Sequence, residues 1–264
     1  MKRKEIQLNL EDANIVSNLK LSNNIWRLTM DAPRISRQYK GPGQFIGLSL
    51  NDSWEHPIRR PMSIARVDGK YIDIIYKIFG SVTKELSMKS PGDFINILGP
   101  IGNVFTEWTN ENRVLIAGGV GLAPILNLYE TCPNSTLIIG AKTANEHFML
   151  HEPERNVYLA TDDGSVGIQG TVLDALRHIT LENQTIIYAC GPEPMLKAIQ
   201  EFTEKNNIKA QLSVESYMGC GIGVCQGCVI RRENGKIHHH SYHKQYSLVC
   251  VEGPIYWSHE VSFD

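Results

Sequence analysis

Val-Glu-Ser-Tyr-Met-Gly-Cys-Gly-Ile-Gly-Val-Cys-Gln-Gly-Cys-Val, residues 214–229, sets Cys220, Cys225 and Cys228 in a C-x4-C-x2-C array, and Cys250 follows after 21 further residues. This is the spacing of a plant-type [2Fe–2S] site, in which a loop wraps the inorganic core and one distant cysteine completes the ligand set. The interleaved glycines suit such a loop. Backbone that curls around a cluster with its N–H groups aimed at sulfur needs positive φ and no Cβ in the way. Zinc is the competing reading, although zinc sites favour two separated C-x2-4-C pairs. A disulfide framework is a weaker competitor, because a chain of 264 residues does not need staples. The array therefore points to a [2Fe–2S] cluster on Cys220, Cys225, Cys228 and Cys250.

Length implies two domains and a small appendage, at about 150 residues per domain. A hydrophobic content of 42% supplies enough apolar material for real cores, and a formal net charge of −2 gives no case for nucleic acid or an anionic membrane. The basic start Met-Lys-Arg-Lys-Glu-Ile-Gln runs into polar residues, so no secretory segment is expected. The longest apolar run, 114–126, is too short for a bilayer and is broken by three glycines and a proline, so no membrane span is expected either. Four of the six cysteines committed to a cluster point to a reducing compartment and a cytoplasmic protein.

Up to residue 108 the chain reads as short strands, at 5–10, 25–30, 44–50, 62–67, 71–78 and 93–98, punctuated by Gly, Pro, Asp and Asn. Six strands at this density predict a small antiparallel barrel. From residue 113 the rhythm changes. Strands at 114–117, 136–139, 157–160, 185–189 and 210–214 alternate with helices at 123–130, 171–178 and 193–206. That pattern predicts a doubly wound parallel sheet. The expected division is a β-barrel over 1–108, an α/β domain over 109–213 and a cluster module over 214–264.

Two barrel stretches carry chemistry. In Arg59-Arg60-Pro61-Met62-Ser63, guanidinium groups stand ahead of a strand, and arginine's planar fork suits a pyrophosphate; a solvated basic turn is the alternative. In Ile75-Tyr76-Lys77-Ile78-Phe79-Gly80-Ser81-Val82-Thr83, a turn opens a helix and offers a phosphate site, or only a cap. In the α/β half, the turn containing Gly118, Gly119 and Gly121 lies between strand and helix and lets backbone approach a pyrophosphate. It lacks the G-x-G-x-x-G form, and no acid ends the next strand. Cys190 and Gly191 end another strand at the same edge, where Cys190 is equally readable as a small buried residue. Thr161-Asp162-Asp163-Gly164-Ser165 is a turn or a nucleotide contact. Cys132 reads as core, and His238, His239, His240 and His243 as a solvated loop rather than a metal tract.

In this order, Arg60-Pro61-Met62-Ser63, the Gly-Gly-Val-Gly-Leu-Ala-Pro turn, the Cys-Gly-Pro-Glu-Pro-Met turn and the cysteines resemble the ferredoxin-reductase-like flavoproteins. The pairing of Arg-Arg-Pro-x-Ser with Leu-Gly-Pro-Ile-Gly-Asn-Val-Phe (98–105) is most similar to the electron-transfer subunits of class B dihydroorotate dehydrogenases. The resemblance implies that Arg60, Pro61, Met62 and Ser63 hold FAD. It further implies that Ile75, Tyr76 and Lys77 line the flavin, that Val82 and Thr83 bind its phosphates, and that NAD lies at Gly118, Gly119, Gly121, Cys190 and Gly191. Val82 stands where the family usually has glycine, and the interval from Cys228 to Cys250 is longer than usual. No nucleophile or base triad is evident. The implied role is electron transfer from the FMN of a separate dihydroorotate dehydrogenase catalytic subunit, through cluster and FAD, to NAD⁺, in a heterotetramer of two chains of each kind. Competing readings are a reductase subunit of a hydrogenase, sulfide or ferredoxin-linked complex, and a non-catalytic iron–sulfur protein.

Overall fold

The computed structural model describes residues 8–50, 55–109, 112–233 and 245–263. The first half closes into the expected barrel. Strands β1 (Asn9–Lys20), β2 (Ile25–Asp31), β3 (Phe45–Ser49), β4 (Arg60–Asp68), β5 (Tyr71–Lys77) and β6 (Phe94–Ile101) follow one another around it as β1-β2-β5-β4-β3-β6, every pair antiparallel. Alternate side chains such as Ile15, Leu28, Ile46, Ile64, Ile74 and Ile97 fill its interior. The first strand departs most from expectation, running from Asn9 to Lys20 rather than over 5–10, whose first residues lie outside the described part. Glu11, Asp12 and Asn14 hide its period. Glu11 points inward because its carboxylate accepts the N–H groups of Arg34 at 3.1 Å and Ile35 at 3.0 Å, tying down the start of the short helix α1 (Pro33–Gln38). A second short helix, α2 (Ser81–Leu86), bridges β5 to β6.

The second half is a seven-stranded sheet. Strands β7 (Arg113–Gly118), β8 (Thr136–Ala141), β9 (Val157–Thr161), β10 (Ile168–Gln169), β11 (Ile186–Cys190) and β12 (Lys209–Ser213) pair in parallel, in the order β10-β9-β8-β7-β11-β12. Helices α3 (Leu122–Thr131), α4 (Val172–Leu176) and α5 (Glu193–Lys205) cover it. The near-continuous apolar runs of β7 and β11 follow from this two-sided burial. Helix α3 faces the barrel, where buried Asn127 donates to the carbonyl of Ile64 at 2.9 Å and to Tyr39 Oη at 2.6 Å.

The last segment was not anticipated as strand. Strands β13 (Val229–Arg232), β14 (Tyr246–Leu248) and β16 (Val261–Ser262) form a small antiparallel sheet. Strand β15 (Ile255–Trp257) returns to the large sheet and pairs antiparallel with β12. Three residues are too few to show a period. They are placed instead by Asn103, whose Nδ2 donates to the carbonyls of Glu252 (3.0 Å) and Ile255 (2.8 Å) while its Oδ1 accepts from Ile255 N at 2.9 Å. The backbone N–H of Asn103 adds a bond to Gly253 O at 2.7 Å. Replacing Asn103 by alanine removes the side-chain partner of Glu252 O, Ile255 O and Ile255 N, while the backbone bond to Gly253 O remains. We expect a loss on the order of 1–3 kcal/mol, read as a lower urea midpoint, with faster amide exchange at Ile255 than in the barrel.

Candidate redox site

The cysteine loop leaves β12, crosses the barrel and enters β13. Gly221 and Gly223 take φ of 69° and 81°, and a Cβ on Gly223 would lie 2.6 Å from Val251 Cγ2. The loop therefore closes onto the turn that carries Cys250 only with glycine there. Cys228 and Cys250 are buried, with sulfurs 3.1 Å apart, and the N–H of Cys250 points at Cys228 Sγ at 3.4 Å. Cys225 is exposed, while Cys220 Sγ accepts the N–H groups of Cys225 (3.3 Å) and Ile222 (3.5 Å). Burial pushes the Cys220 thiol up, but these N–H bonds more than offset it and bring it down to about 7. Cys250 is pushed up to about 12, by burial first and by neighbouring Cys228 second.

Among the described residues no three metal-binding side chains already converge as around a single ion. The cysteines form an inner and an outer pair instead. The donor set still suits an iron–sulfur cluster. Thiolates as close as the inner pair repel unless a cation lies between them, and a Cβ on Gly219 would press to 3.3 Å from Cys225 Sγ. A network holds the Cys250 turn. The Glu252 carboxylate accepts from Arg232 (2.9 Å), Ser247 (2.8 Å) and Leu248 N (3.0 Å). Sequence reasoning missed this network and the Asn103 clamp, because both depend on residues far apart in the chain. The His238–His243 tract lies outside the described residues.

The barrel has a seam. The β4–β5 ladder stops at the pair Ile64–Ile74. Beyond it Arg60, Pro61, Met62 and Ser63 pair only with β3, and Ile75, Tyr76 and Lys77 only with β2. The two stretches singled out in the sequence thus border one slot with unpaired backbone edges, a shape that suits a flat, hydrogen-bonding ring system. Their side chains diverge. Tyr76 is buried in the barrel core with its hydroxyl donating to Asn18 at 2.9 Å, Ile75 packs on Ala123, and Lys77 pairs with Glu146 at 3.2 Å. Arg60 is half-buried and donates to Ile58 O at 2.6 Å. Val82 turns its side chain into the barrel core. Thr83 Oγ1 is engaged by its own turn, accepting from Phe79 N (2.9 Å) and Gly80 N (3.2 Å).

At the carboxyl edge of the sheet the two glycine turns touch. Cys190 lies beside Ala117 in register. A Cβ on Gly121 would fall 2.3 Å from Cys190 O, and one on Gly191 would fall 3.0 Å from Gly118 N. Gly119, with φ of 56°, faces open space, as a backbone that receives a pyrophosphate must. Cys190 itself is buried; burial, then the charge of Glu215, pushes its thiol up. Cys132 is buried against Trp108 O at 3.6 Å.

The two regions meet at a crevice in which Pro61, Leu98 and Ile101 of the barrel face Met218, Cys220 and Gly221 of the cysteine loop. Seamed barrel, paired glycine turns and cysteine module together define a ferredoxin-reductase-like oxidoreductase extended by an iron–sulfur module. The structure resembles the NADH-dependent reduced ferredoxin-NADP oxidoreductase solved in connection with flavin-based electron bifurcation (TM-score 0.82, 26% identity, 96% of this chain and 90% of that one). In fold it also resembles the ferredoxin reductase of carbazole 1,9a-dioxygenase (TM-score 0.65, 20% identity, 78% and 68% covered).

Residues 215–262 match the family described as the iron–sulfur cluster binding domain of dihydroorotate dehydrogenase B, and residues 115–201 the oxidoreductase NAD-binding domain. The dihydroorotate dehydrogenase B (NAD(+)) electron transfer subunit of Caldanaerobacter subterraneus subsp. tengcongensis is 33% identical over 259 residues, covering 95% of this chain and 98% of its own. That of Fusobacterium nucleatum subsp. nucleatum is 29% identical over 271 residues, covering 97% and 100%. The chain belongs to the family of dihydroorotate dehydrogenase B electron transfer subunits.

Two outcomes follow from this geometry. Serine at Cys220, Cys225, Cys228 or Cys250, singly, should bleach the visible cluster absorption, whereas Cys132→Ser and Cys190→Ser should keep it; a full [2Fe–2S] EPR signal in Cys250→Ser would move the fourth ligand elsewhere. Arg60→Ala checks the place at FAD expected for this residue, a charged contact of about 1.5–3 kcal/mol. FAD affinity should fall roughly ten- to a hundredfold, measured by fluorescence as the flavin is diluted off the protein.

Proposed function

We propose that this chain carries electrons between the FMN-containing catalytic subunit of a dihydroorotate dehydrogenase and NAD⁺, by way of a [2Fe–2S] cluster and FAD, in de novo pyrimidine biosynthesis. The supporting observation is the crevice at Pro61 and Cys220, which puts the cysteine loop directly against the barrel wall beside the seam. A flavin supplies the conversion between the two-electron hydride of a nicotinamide and the single electrons of a cluster.

Each part of the chain then has a defined task. Arg60 to Ser63 and the first turn of α2 bind FAD, with Arg60 and the N–H groups of that turn meeting its pyrophosphate. The touching turns at Gly118–Gly121 and Cys190–Gly191 hold NAD at the sheet edge, in front of the seam. Cys220, Cys225, Cys228 and Cys250 hold the cluster between barrel and surface. The working units are the barrel over 1–108, the NAD-binding domain over 109–213 and the cluster module over 214–264. Dihydroorotate itself is oxidised in the partner, the FMN-containing catalytic subunit. The assembly is a cytoplasmic heterotetramer of two chains of each kind. Among the described residues no helix is long and apolar enough to cross a membrane.

A reductase subunit serving a ferredoxin-linked enzyme is the second reading, favoured by the likeness to the reduced ferredoxin-NADP oxidoreductase. One experiment separates the two. The isolated chain should oxidise NADH with an artificial acceptor and leave dihydroorotate untouched, and adding the catalytic subunit should confer dihydroorotate-dependent reduction of NAD⁺. Turnover of dihydroorotate by the chain alone, or failure of the two subunits to associate, overturns the first reading.

A further inference from the structure

The glycine turns meet the middle of a dinucleotide, and the order of the sheet decides where its adenosine half runs. Strand β7 has β11 and β12 on one side, β8 and β9 on the other. The cysteine loop leaves β12, so the free stretch of the carboxyl edge is the one over β8 and β9, each strand adding about 4.8 Å. Strand β8 ends in Gly140-Ala141-Lys142 and offers no acid to a ribose hydroxyl. Strand β9 is followed by two, Asp162 and Asp163, both exposed. The two strand ends are tied together. Ser165 Oγ accepts the N–H of Ala144, in the turn after β8, at 2.7 Å and donates to Asp163 Oδ1 at 2.6 Å. Ser165 N adds a second bond to the same oxygen at 3.0 Å. The N–H groups of Asp162 and Asp163 reach the carbonyls of Ala141 (3.2 Å) and Lys142 (3.4 Å). Asp163 is therefore a carboxylate of fixed direction, and the Ser165 bonds hold it below the usual carboxylate range and so charged at neutral pH.

We propose that Asp163 is the residue that selects the nucleotide: its carboxylate accepts from the adenosine ribose 2′-hydroxyl of NAD and, with Asp162, repels the 2′-phosphate of NADP. The inference rests on the functional reading above and deepens its nucleotide site. Two adjacent acids would not make a site by themselves. Here the site is set independently, by the turn at Gly119 that faces open space and by the match of residues 115–201 to the oxidoreductase NAD-binding domain. An acid at the ribose is the ordinary device of dinucleotide sheets, placed at the end of the strand next to the glycine turn; in this chain it stands one strand further out. Lys142 pulls the other way, because an ammonium suits a phosphate. It is exposed, on a flexible stem, and contributes one positive charge against two negative ones, of which Asp163 is held in place. Like charges within contact distance decide the balance against a 2′-phosphate.

The test uses the full chain loaded with its cofactors, with Asp163→Asn, Asp163→Ser and Asp162→Asn as variants. Glu154→Gln, at an exposed position before the amino end of β9, is the control. Affinities for NAD⁺ and NADP⁺ are measured by calorimetric titration, and kcat/KM is compared for NADH and NADPH with an artificial acceptor. The parent should prefer NAD⁺. Both Asp163 variants should bind NAD⁺ more weakly and NADP⁺ more tightly, moving the ratio of the two affinities roughly tenfold or more. The gain for NADP⁺ is the decisive reading, since a misfolded variant loses both nucleotides. Asp162→Asn should shift the ratio less, and Glu154→Gln should behave as the parent. An unchanged ratio in both Asp163 variants overturns the proposal and leaves the functional reading intact. So does a larger shift in Asp162→Asn than in either Asp163 variant, or a parent that prefers NADP⁺. A parent that binds neither nucleotide overturns the functional reading and this inference with it.

Discussion

The side chain of Asn103 is bonded entirely to main-chain groups of a segment about 150 residues further along the chain. That segment follows Cys250 directly and supplies β15 to the large sheet, so one asparagine fixes three things at once: the position of the last cysteine, the edge of the sheet and the distance from both to the barrel. The approach is close enough that the positions beside it cannot carry a side chain. A Cβ on Gly102 would sit 2.6 Å from Pro254 Cδ, and one on Gly43 2.8 Å from Ile255 Cγ1. Electron transfer depends on separation, and here the separation is set by hydrogen bonds from one side chain and its own N–H to distant main chain, rather than by apolar packing, which deforms more readily.

A similar constraint acts at the sheet edge. Strands β7 and β11 are neighbours in register, so the loops that leave them must pass one another at backbone distance. Glycine at 121 and 191 permits this, and the cost is a narrow tolerance: any side chain at Gly121 meets the Cys190 carbonyl. The same closeness gathers N–H groups from two helix starts, α3 and α5, which pack on opposite faces, at one edge of the sheet. The missing ribose acid at the end of β8 therefore does not leave the edge without the means to hold a dinucleotide.

Much of this was legible in the sequence because it rests on local rules. The barrel and the parallel sheet follow from apolar periodicity with turn residues between, and the cluster from cysteine spacing, which a folded loop can hardly disguise. The first strand was misplaced because Glu11, an inward carboxylate, obeys a helix-capping demand from Arg34 and Ile35 that no strand pattern encodes. Strands β13 to β16 were missed because each is two to four residues long and owes its form to distant partners, Asn103 and the Glu252 network among them. The seam between β4 and β5 was likewise invisible. Both flanking stretches stood out by composition, yet that their ladder ends at Ile64–Ile74 is a property of pairing and not of either stretch.

The four cysteines also differ sharply in their surroundings. Cys228 and Cys250 are buried in the same apolar core as Phe45 and Ile101, next to the barrel. Cys225, by contrast, is exposed, and Cys220 lies between these extremes with its sulfur bonded to loop N–H groups. These residues would hold an iron–sulfur cluster with two cysteines rooted in a close-packed interior and two nearer the surface. Burial disfavours charge and exposure stabilises it, so the two pairs of sulfurs stand in unequal surroundings. The outer cysteines, with the N–H groups on Cys220, would stabilise charge on such a group, and the inner pair would anchor it against the barrel.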